Sequence, residues 1–305
     1  MLDNFNKLIT KYNGWLPFDL IKQRDYFTSG GSSDIYKGVY DSRNIILKMF
    51  DSRNYHYETG IIDDLENELE IYILLENKKK DQLCQCYGYS FSNLNNSFQT
   101  YLILKDYGAE GDLCDIIKNE KYWYKYKNKI NENEYYYKYR DIEWVYNMER
   151  NYKLQITNSL CQAIKELHDS NIVHCDLKPN NLLLINDKII IIDLGASRFI
   201  DKEKIIVTEE DMGTLGYMCE DLQFGLCSKK SDIYSLGICM LELWVGEIWQ
   251  EGNNYKDCRK EILNSLKCLE CKEKELSKII KKCILKNTKK RPYIKTVIKN
   301  LSKVV

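Results

Sequence analysis

One stretch constrains this chain more than any other: Ile172–Gly195, which reads IVHCDLKPNNLLLINDKIIIIDLG. Two short apolar runs, Leu182–Ile185 and Lys188–Ile192, flank Asn186-Asp187, a pair that tolerates the positive φ of a two-residue hairpin turn. The spacing predicts a tight β pair with a polar, charged segment at each outer end. Asp176, Lys178 and Asn181 precede the first run, and Asp193 follows the second.

Around this hairpin the pattern divides the chain. The first hundred residues read mainly as strands with one helix. Ile35–Tyr40 and Asn44–Phe50 are separated by the turn signal Asp41-Ser42-Arg43, and Leu83–Phe91 and Thr100–Leu104 are separated by a polar loop, Ser92–Gln99. Between the two pairs, Asp63–Glu76 carries Leu65, Leu69, Tyr72 and Leu75 at helical spacing. From Leu113 onward helical periods dominate. Ile156, Leu160, Ala163, Ile164 and Leu167 form one stripe, and Ile233–Val245 is apolar nearly all round, the mark of a buried helix. Leu276–Leu301 reads as two helices broken near Lys289–Pro292. Lys118–Tyr152 interleaves Tyr and Trp with Lys, Asn and Glu without a clean period and reads as a solvated insertion with a partly packed aromatic face, the alternative being a partner or substrate surface.

The polar ends of the hairpin suit phosphoryl transfer, which asks a protein mainly to hold a phosphoryl group, metal and acceptor in line. An Asp followed five residues later by Asn lets one loop offer a carboxylate to the acceptor and an amide oxygen to Mg²⁺. Asp193 adds a hard oxygen for the same metal, and Lys178 can offset charge developing on the transferred group. His174-x-Asp176-Leu177-Lys178-Pro179-x-Asn181 followed by Asp193-Leu194-Gly195 resembles the catalytic and metal-binding loops of the protein kinase superfamily, Ser/Thr-like in detail. The resemblance implies that Asp176 is the catalytic base, that Asn181 and Asp193 hold Mg²⁺, and that Lys178 is the phosphate-side cation.

Further segments match in order. Phe27–Gly38 resembles the nucleotide-covering hairpin, with Gly30 and Gly31 present, Thr28 and Ser33 where the family has glycine, and Ile35 against the nucleotide. Asn44–Lys48 resembles V-A-I-K, which makes Lys48 the α/β-phosphate contact and puts Ile46 where a small residue usually lies over adenine. A lysine in an apolar strand needs a carboxylate partner. Glu66, Glu68 and Glu70 are available, and Glu68 is expected because Ile71 and Leu75 then fall where kinase helices place apolar residues. Thr100–Leu113 resembles the strand and hinge that meet adenine: Lys105 or Leu104 is the gatekeeper, followed by Asp106 and Tyr107, with Leu183 contributing from the hairpin.

Gly213–Asp221 resembles G-T-x-x-Y-M-A-P-E with C-E-D at its end. By that likeness Thr214 contacts the catalytic loop and Asp221 pairs with Arg291. Ser231–Gly237 looks like the start of the central helix of the second lobe, with Asp232 bracing the catalytic-loop backbone. Cys175 stands where most kinases carry an arginine that clamps a phosphorylated activation loop, so weak dependence on such phosphorylation is expected; Thr208 is the candidate phosphosite.

The resemblance implies an α+β, two-lobed fold: an antiparallel sheet plus one helix in the N-lobe, and a mainly helical C-lobe. The expected organisation is an N-terminal extension over residues 1–21 and a kinase domain over 22–302, with lobes at about 22–105 and 106–302 and the Tyr-rich insertion at about 118–152. The implied activity is transfer of the γ-phosphate of Mg-ATP to Ser/Thr hydroxyls of proteins; the alternative is a pseudokinase that binds without turnover. A small-molecule kinase shares the H-x-D loop but not the G-T-x-x-Y segment. Lys+Arg and Asp+Glu balance at 45 each, so no global field favours nucleic acid or a membrane surface. The first twenty residues lack a sustained apolar run, and twelve cysteines without a secretory signal read as reduced thiols, which together indicate a cytoplasmic protein. Cys268-x-x-Cys271 has zinc half-site spacing, but nothing near it in sequence completes a site.

Overall fold

A computed structural model of the chain describes residues 2–29, 33–51, 58–76, 80–94, 97–109, 111–118, 149–201, 206–207, 213–248 and 255–304. Contacts divide it into two units, Met1–Gly108 with Asp193–Gly195, and Ala109–Ile192 with Ala196–Val305.

In the first unit, helix α1 (Leu2–Lys11) precedes the strands β1 (Lys22–Ser29), β2 (Asp34–Tyr40) and β3 (Arg43–Asp51). Asp41 and Ser42 both take positive φ, 47° and 59°. That is the geometry of a type I′ turn, and it locks β2 to β3 in unbroken register from Tyr40↔Arg43 to Asp34↔Met49. Helix α2 (Glu58–Glu76) follows, then β4 (Cys86–Leu94) and β5 (Ser97–Lys105), giving an antiparallel sheet of order β1-β2-β3-β5-β4. The expected polar loop over Ser92–Gln99 is corrected: pairing continues to Asn93↔Phe98 and Leu94↔Ser97. The polar side chains meet across the pair, Ser92 Oγ donating to Gln99 Oε1 at 3.3 Å. Tyr101 Oη donates to Gln99 Oε1 at 2.7 Å.

Direct cross-strand partners share a face. Ile35, Lys48 and Leu102 line up on one face with Ile46 and Leu104. Ile45, Leu47, Met49, Tyr101 and Ile103 occupy the other and form a core with Ile21. Leu65, Leu69, Tyr72 and Leu75 of α2 are all buried, as their spacing predicts.

The second unit is mainly helical. Its elements are α3 (Leu113–Lys118), α4 (Arg150–Asp169), α5 (Glu220–Gln223), α6 (Lys229–Val245), α7 (Tyr255–Lys272), α8 (Lys274–Cys283) and α9 (Ile294–Leu301). Short strands β6 (Ile172–Val173) and β9 (Arg198–Phe199) pair, as do β10 (Ile206–Val207) and β11 (Leu226–Cys227). The hairpin forms as predicted: β7 (Leu182–Ile185) and β8 (Lys188–Ile191) meet through Asn186 and Asp187, both at positive φ.

Helix α6 is the centre of this unit, buried without interruption from Ser231 to Val245. Its N-terminus is fixed by a reciprocal capping box between Ser228 and Ser231. Gly237 lets α8 approach closely, since a Cβ there would lie 2.7 Å from Ile284 Cγ2 and 2.8 Å from Cys283 Cβ. All twelve cysteines are free, with Cys268 and Cys271 exposed on α7. No helix among the described residues is long and apolar enough to cross a membrane.

Glu242 lies inside α6. Burial pushes its carboxyl up to about 7, against hydrogen bonds from Tyr217 Oη at 2.7 Å and Ile248 N at 3.2 Å. A folded-state value above the unfolded one means that the folded state binds more protons between about pH 4.5 and 7, so stability falls as pH rises through that window. The group's contribution is about 3 kcal/mol across it. Glu242→Gln is expected to flatten that part of the stability–pH curve, measured by urea unfolding from pH 5 to 8.

Candidate active site

Lys48 is 4% exposed, on a β3 strand of otherwise apolar character. Its ammonium lies 2.7 Å from Glu68 Oε2 and 2.7 Å from Asp193 Oδ1. Burial alone would lower the lysine, but the carboxylates of Glu68 and Asp193 outweigh it and hold Lys48 above its ordinary range. Glu68 is fully buried, and burial raises its carboxyl despite the lysine. Of the three glutamates on this part of α2, Glu68 alone turns inward. Glu66 and Glu70, two residues to either side, project to the opposite face and bond to Lys11 and Tyr12. Asp193 sits at φ 59°, and a Cβ on Gly195 would lie 3.2 Å from both Glu68 Oε2 and Lys48 Nζ. Glycine after Asp-Leu leaves that space to the ion pairs.

The strand register separates the side chains of Leu104 and Lys105. Leu104 opposes Ile46 and so shares the face of Lys48, whereas Lys105 opposes Ile45 on the other face. Lys105 Nζ lies 4.9 Å from the Tyr107 ring. The Lys105 side chain therefore lies off the Lys48 face, since a one-residue step along a strand reverses the face. Ile35 and Ile46 both lie on the Lys48 face. Asp106 Oδ1 accepts from Gly108 N at 2.8 Å, and Tyr107 Oη accepts from Gln85 N at 3.1 Å. Gly30, Gly31, Thr208 and most of the Tyr-rich insertion fall outside the described residues.

In the second unit, Asp176 is the hub of a polar cluster. Its Oδ1 accepts from Thr214 Oγ1 at 2.7 Å, and its Oδ2 lies 3.0 Å from Lys178 Nζ. Lys178 also donates to Thr214 Oγ1 at 2.7 Å. Asn181 Nδ2 donates to the Asp176 carbonyl at 2.8 Å, a bond that uses the amide nitrogen of Asn181 and not its oxygen. Leu183 follows on β7, paired with Ile190 and bridged to Asp112.

The loop carrying Asp176 is fixed from beneath by Asp232 of α6. Its carboxylate accepts from His174 N at 2.9 Å and Cys175 N at 3.1 Å, and it contacts His168 Nε2 at 2.9 Å. Cys175 takes φ 66°, a conformation that costs free energy in a non-glycine residue and is imposed here by those two backbone bonds. Its thiol is buried, 2.7 Å from Cys227 Sγ. The hydrogen bond to Cys227, then burial, pushes that thiol well above its ordinary range.

One expected pair does not form. Arg291 donates instead to three backbone carbonyls, those of Leu285 (2.7 Å), Lys230 (3.0 Å) and Lys286 (3.4 Å), while Asp221 accepts from Thr288 Oγ1. The shorter aspartate is taken up by the nearer hydroxyl. Sequence reasoning also passes over Asp112, whose Oδ2 accepts from Asn180 Nδ2 at 3.1 Å. A signal existed: Asp112-x-x-Asp115 before an apolar run reads as a reciprocal cap, and the two residues do exchange backbone bonds at 2.9 and 3.0 Å.

Comparison with known proteins agrees with this geometry. The family description "Protein kinase domain" matches residues 25–301. A probable LIM domain-containing serine/threonine-protein kinase of Dictyostelium discoideum is 26% identical over 98% of this chain and 28% of its own length. A putative serine/threonine-protein kinase of Acanthamoeba polyphaga mimivirus is 35% identical over 50% of this chain and 56% of its own. The chain thus spans about a quarter to a half of the length of these relatives. With 25–301 matched, and with Lys48 on Glu68 and Asp176 among Lys178, Thr214 and Asn181, the chain belongs to the protein kinase family.

Proposed function

We propose that the chain transfers the γ-phosphate of Mg-ATP to Ser/Thr hydroxyls of proteins, with Asp176 as the catalytic base. The observation that carries this reading is the Asp176 carboxylate, held by Thr214 and Lys178 beside a loop whose backbone is fixed by Asp232. A carboxylate so oriented accepts the hydroxyl proton as the acceptor oxygen bonds to phosphorus and the bond to the departing diphosphate breaks. Lys178, at 3.0 Å from that carboxylate, offsets charge developing on the transferred group. Lys48, fixed by Glu68, contacts the α- and β-phosphates.

The donor set fits a hard divalent cation. Asn181 offers an amide oxygen and Asp193 a carboxylate that is 44% exposed, both of the oxygen type that Mg²⁺ selects. Bound Mg²⁺ would neutralise phosphate charge there. Lys178 two residues after Asp176 and the Gly213-Thr214-x-x-Tyr217 segment favour Ser/Thr over Tyr acceptors. A pseudokinase reading draws on Thr28 and Ser33 in place of glycines and on Ile46 beside Lys48, which narrows the space for adenine. None of these removes a metal ligand or the base, so the enzymatic reading stands ahead.

Wild type is expected to label a generic Ser/Thr substrate from γ-labelled ATP, and Asp176→Asn to lower the rate by a factor on the order of 10²–10⁴. A folded wild type that binds nucleotide and transfers nothing would favour the pseudokinase. Phosphoamino-acid analysis of the product separates Ser/Thr from Tyr. Because the buried Cys175 thiol offers no cation to a phosphorylated loop, phosphatase treatment is expected to leave activity within about twofold. A collapse on dephosphorylation would contradict that.

A further inference from the structure

Residues before the matched domain make an ordered contact with the helix that carries Glu68. Glu66 and Glu70 lie one turn apart on the α2 face opposite Glu68, and both are engaged by the end of the N-terminal segment. Lys11 Nζ lies 2.5 Å from Glu66 Oε1 and 3.2 Å from Glu70 Oε1. Tyr12 Oη donates to Glu66 at 3.1 Å and also to Glu70. The Tyr12 hydrogen bond, then Lys11, holds the Glu70 carboxyl below its ordinary range.

The segment that presents Lys11 and Tyr12 is anchored to the sheet. Tyr89 of β4 is fully buried, and its hydroxyl donates to the Leu8 carbonyl at 3.3 Å and the Tyr12 carbonyl at 2.9 Å. Tyr89 N donates to Gly14 O at 3.0 Å, and Leu16 N to Tyr89 O at 2.9 Å, so the segment adds to the open edge of β4. Gly88, at φ 152°, makes this approach possible, because a side chain there would meet the Gly14 carbonyl. Leu8 is 3% exposed, and Phe18 stacks on Tyr101 at 4.7 Å.

We propose that residues 8–16 are an intramolecular brace that fixes α2 relative to the sheet and thereby holds Glu68 on Lys48, with Lys11 and Tyr12 as positioning residues. The catalytic consequence rests on the kinase reading above; the placement of α2 does not. Exposed ion pairs in isolation contribute little. Here the backbone anchors hold Lys11 and Tyr12 in place before they meet α2, so two donors act on two carboxylates without first having to be ordered. The brace spans from β4 to α2, and Lys48 and Glu68 are carried by that same sheet and helix. A shift of α2 of about 1 Å is enough to impair a phosphate-positioning lysine.

The test uses the full chain in three forms: wild type, Lys11→Glu, and the charge exchange Lys11→Glu with Glu66→Lys and Glu70→Lys. Tyr12→Phe is a milder companion that removes only the hydroxyl. Amide hydrogen exchange over Glu66–Tyr72 is expected to quicken about tenfold in Lys11→Glu, less in Tyr12→Phe, and to return to within about twofold of wild type in the exchanged form. Phosphate transfer should follow, with kcat lower by about fivefold at unchanged peptide KM and recovery in the exchanged form. Unaltered exchange in Lys11→Glu would overturn the proposal, as would loss spread evenly over the unit or loss that the charge exchange does not reverse. Exchange is read without catalysis, so a chain that transfers no phosphate refutes the kinase reading and still decides the brace.

Discussion

A cation inside an apolar sheet is the constraint around which the first unit is arranged. Lys48 cannot be buried among Ile35, Ile46 and Leu102 without carboxylates to meet it. Two arrive from distant parts of the sequence, Glu68 from α2 and Asp193 from the segment after the hairpin. Breaking such a group is costly while forming it gains little net stability, so its value lies in geometry. Strand β3, helix α2 and Asp193 have essentially one mutual placement that satisfies it. The apolar stripe of α2, the exclusion of a side chain at Gly195 and the outward turn of Glu66 and Glu70 follow from that placement.

The second unit uses a buried carboxylate differently. Asp232 is held in helix α6, buried from Ser231 to Val245, and both its oxygens accept from the backbone of the loop before Asp176. The loop is thereby fixed through its main chain, which frees the Asp176 side chain for Thr214 and Lys178. Cys175, with its backbone at positive φ and its thiol packed against Cys227, is a structural element of this loop and carries no charge into it. Arg291 likewise serves backbone carbonyls, those of Leu285 and Lys286 after α8 and of Lys230 in α6, and pairs with no carboxylate among the described residues.

Much of this was legible because the determinants are local. Asn186-Asp187 specifies its turn, the stripe on α2 specifies its buried face, and Glu68, three residues after Leu65 and four before Tyr72, falls on that face. The strand alternation that separates Leu104 from Lys105 was equally local, but it needed the pairing partner to fix which face was which. What the sequence withheld depends on distance or on edges. Polar residues at 92–99 read as loop because nothing local signals an edge strand. Asp221 and Arg291 were matched by family position, and a hydroxyl at Thr288 and nearby carbonyls took their bonds instead. Lys11 and Glu66 lie 55 residues apart, and no periodicity links them.

Binding of ATP with Mg²⁺ and then with a chelator, measured by calorimetry on wild type and Asp193→Asn, tests whether these groups form a working phosphoryl-transfer site. Wild type should bind at least about tenfold more tightly with the metal, and Asp193→Asn should lose most of that difference. Equal affinity with and without Mg²⁺ in a folded wild type would contradict the assignment of Asp193 as a metal ligand and, with it, the reading of this chain as an active kinase.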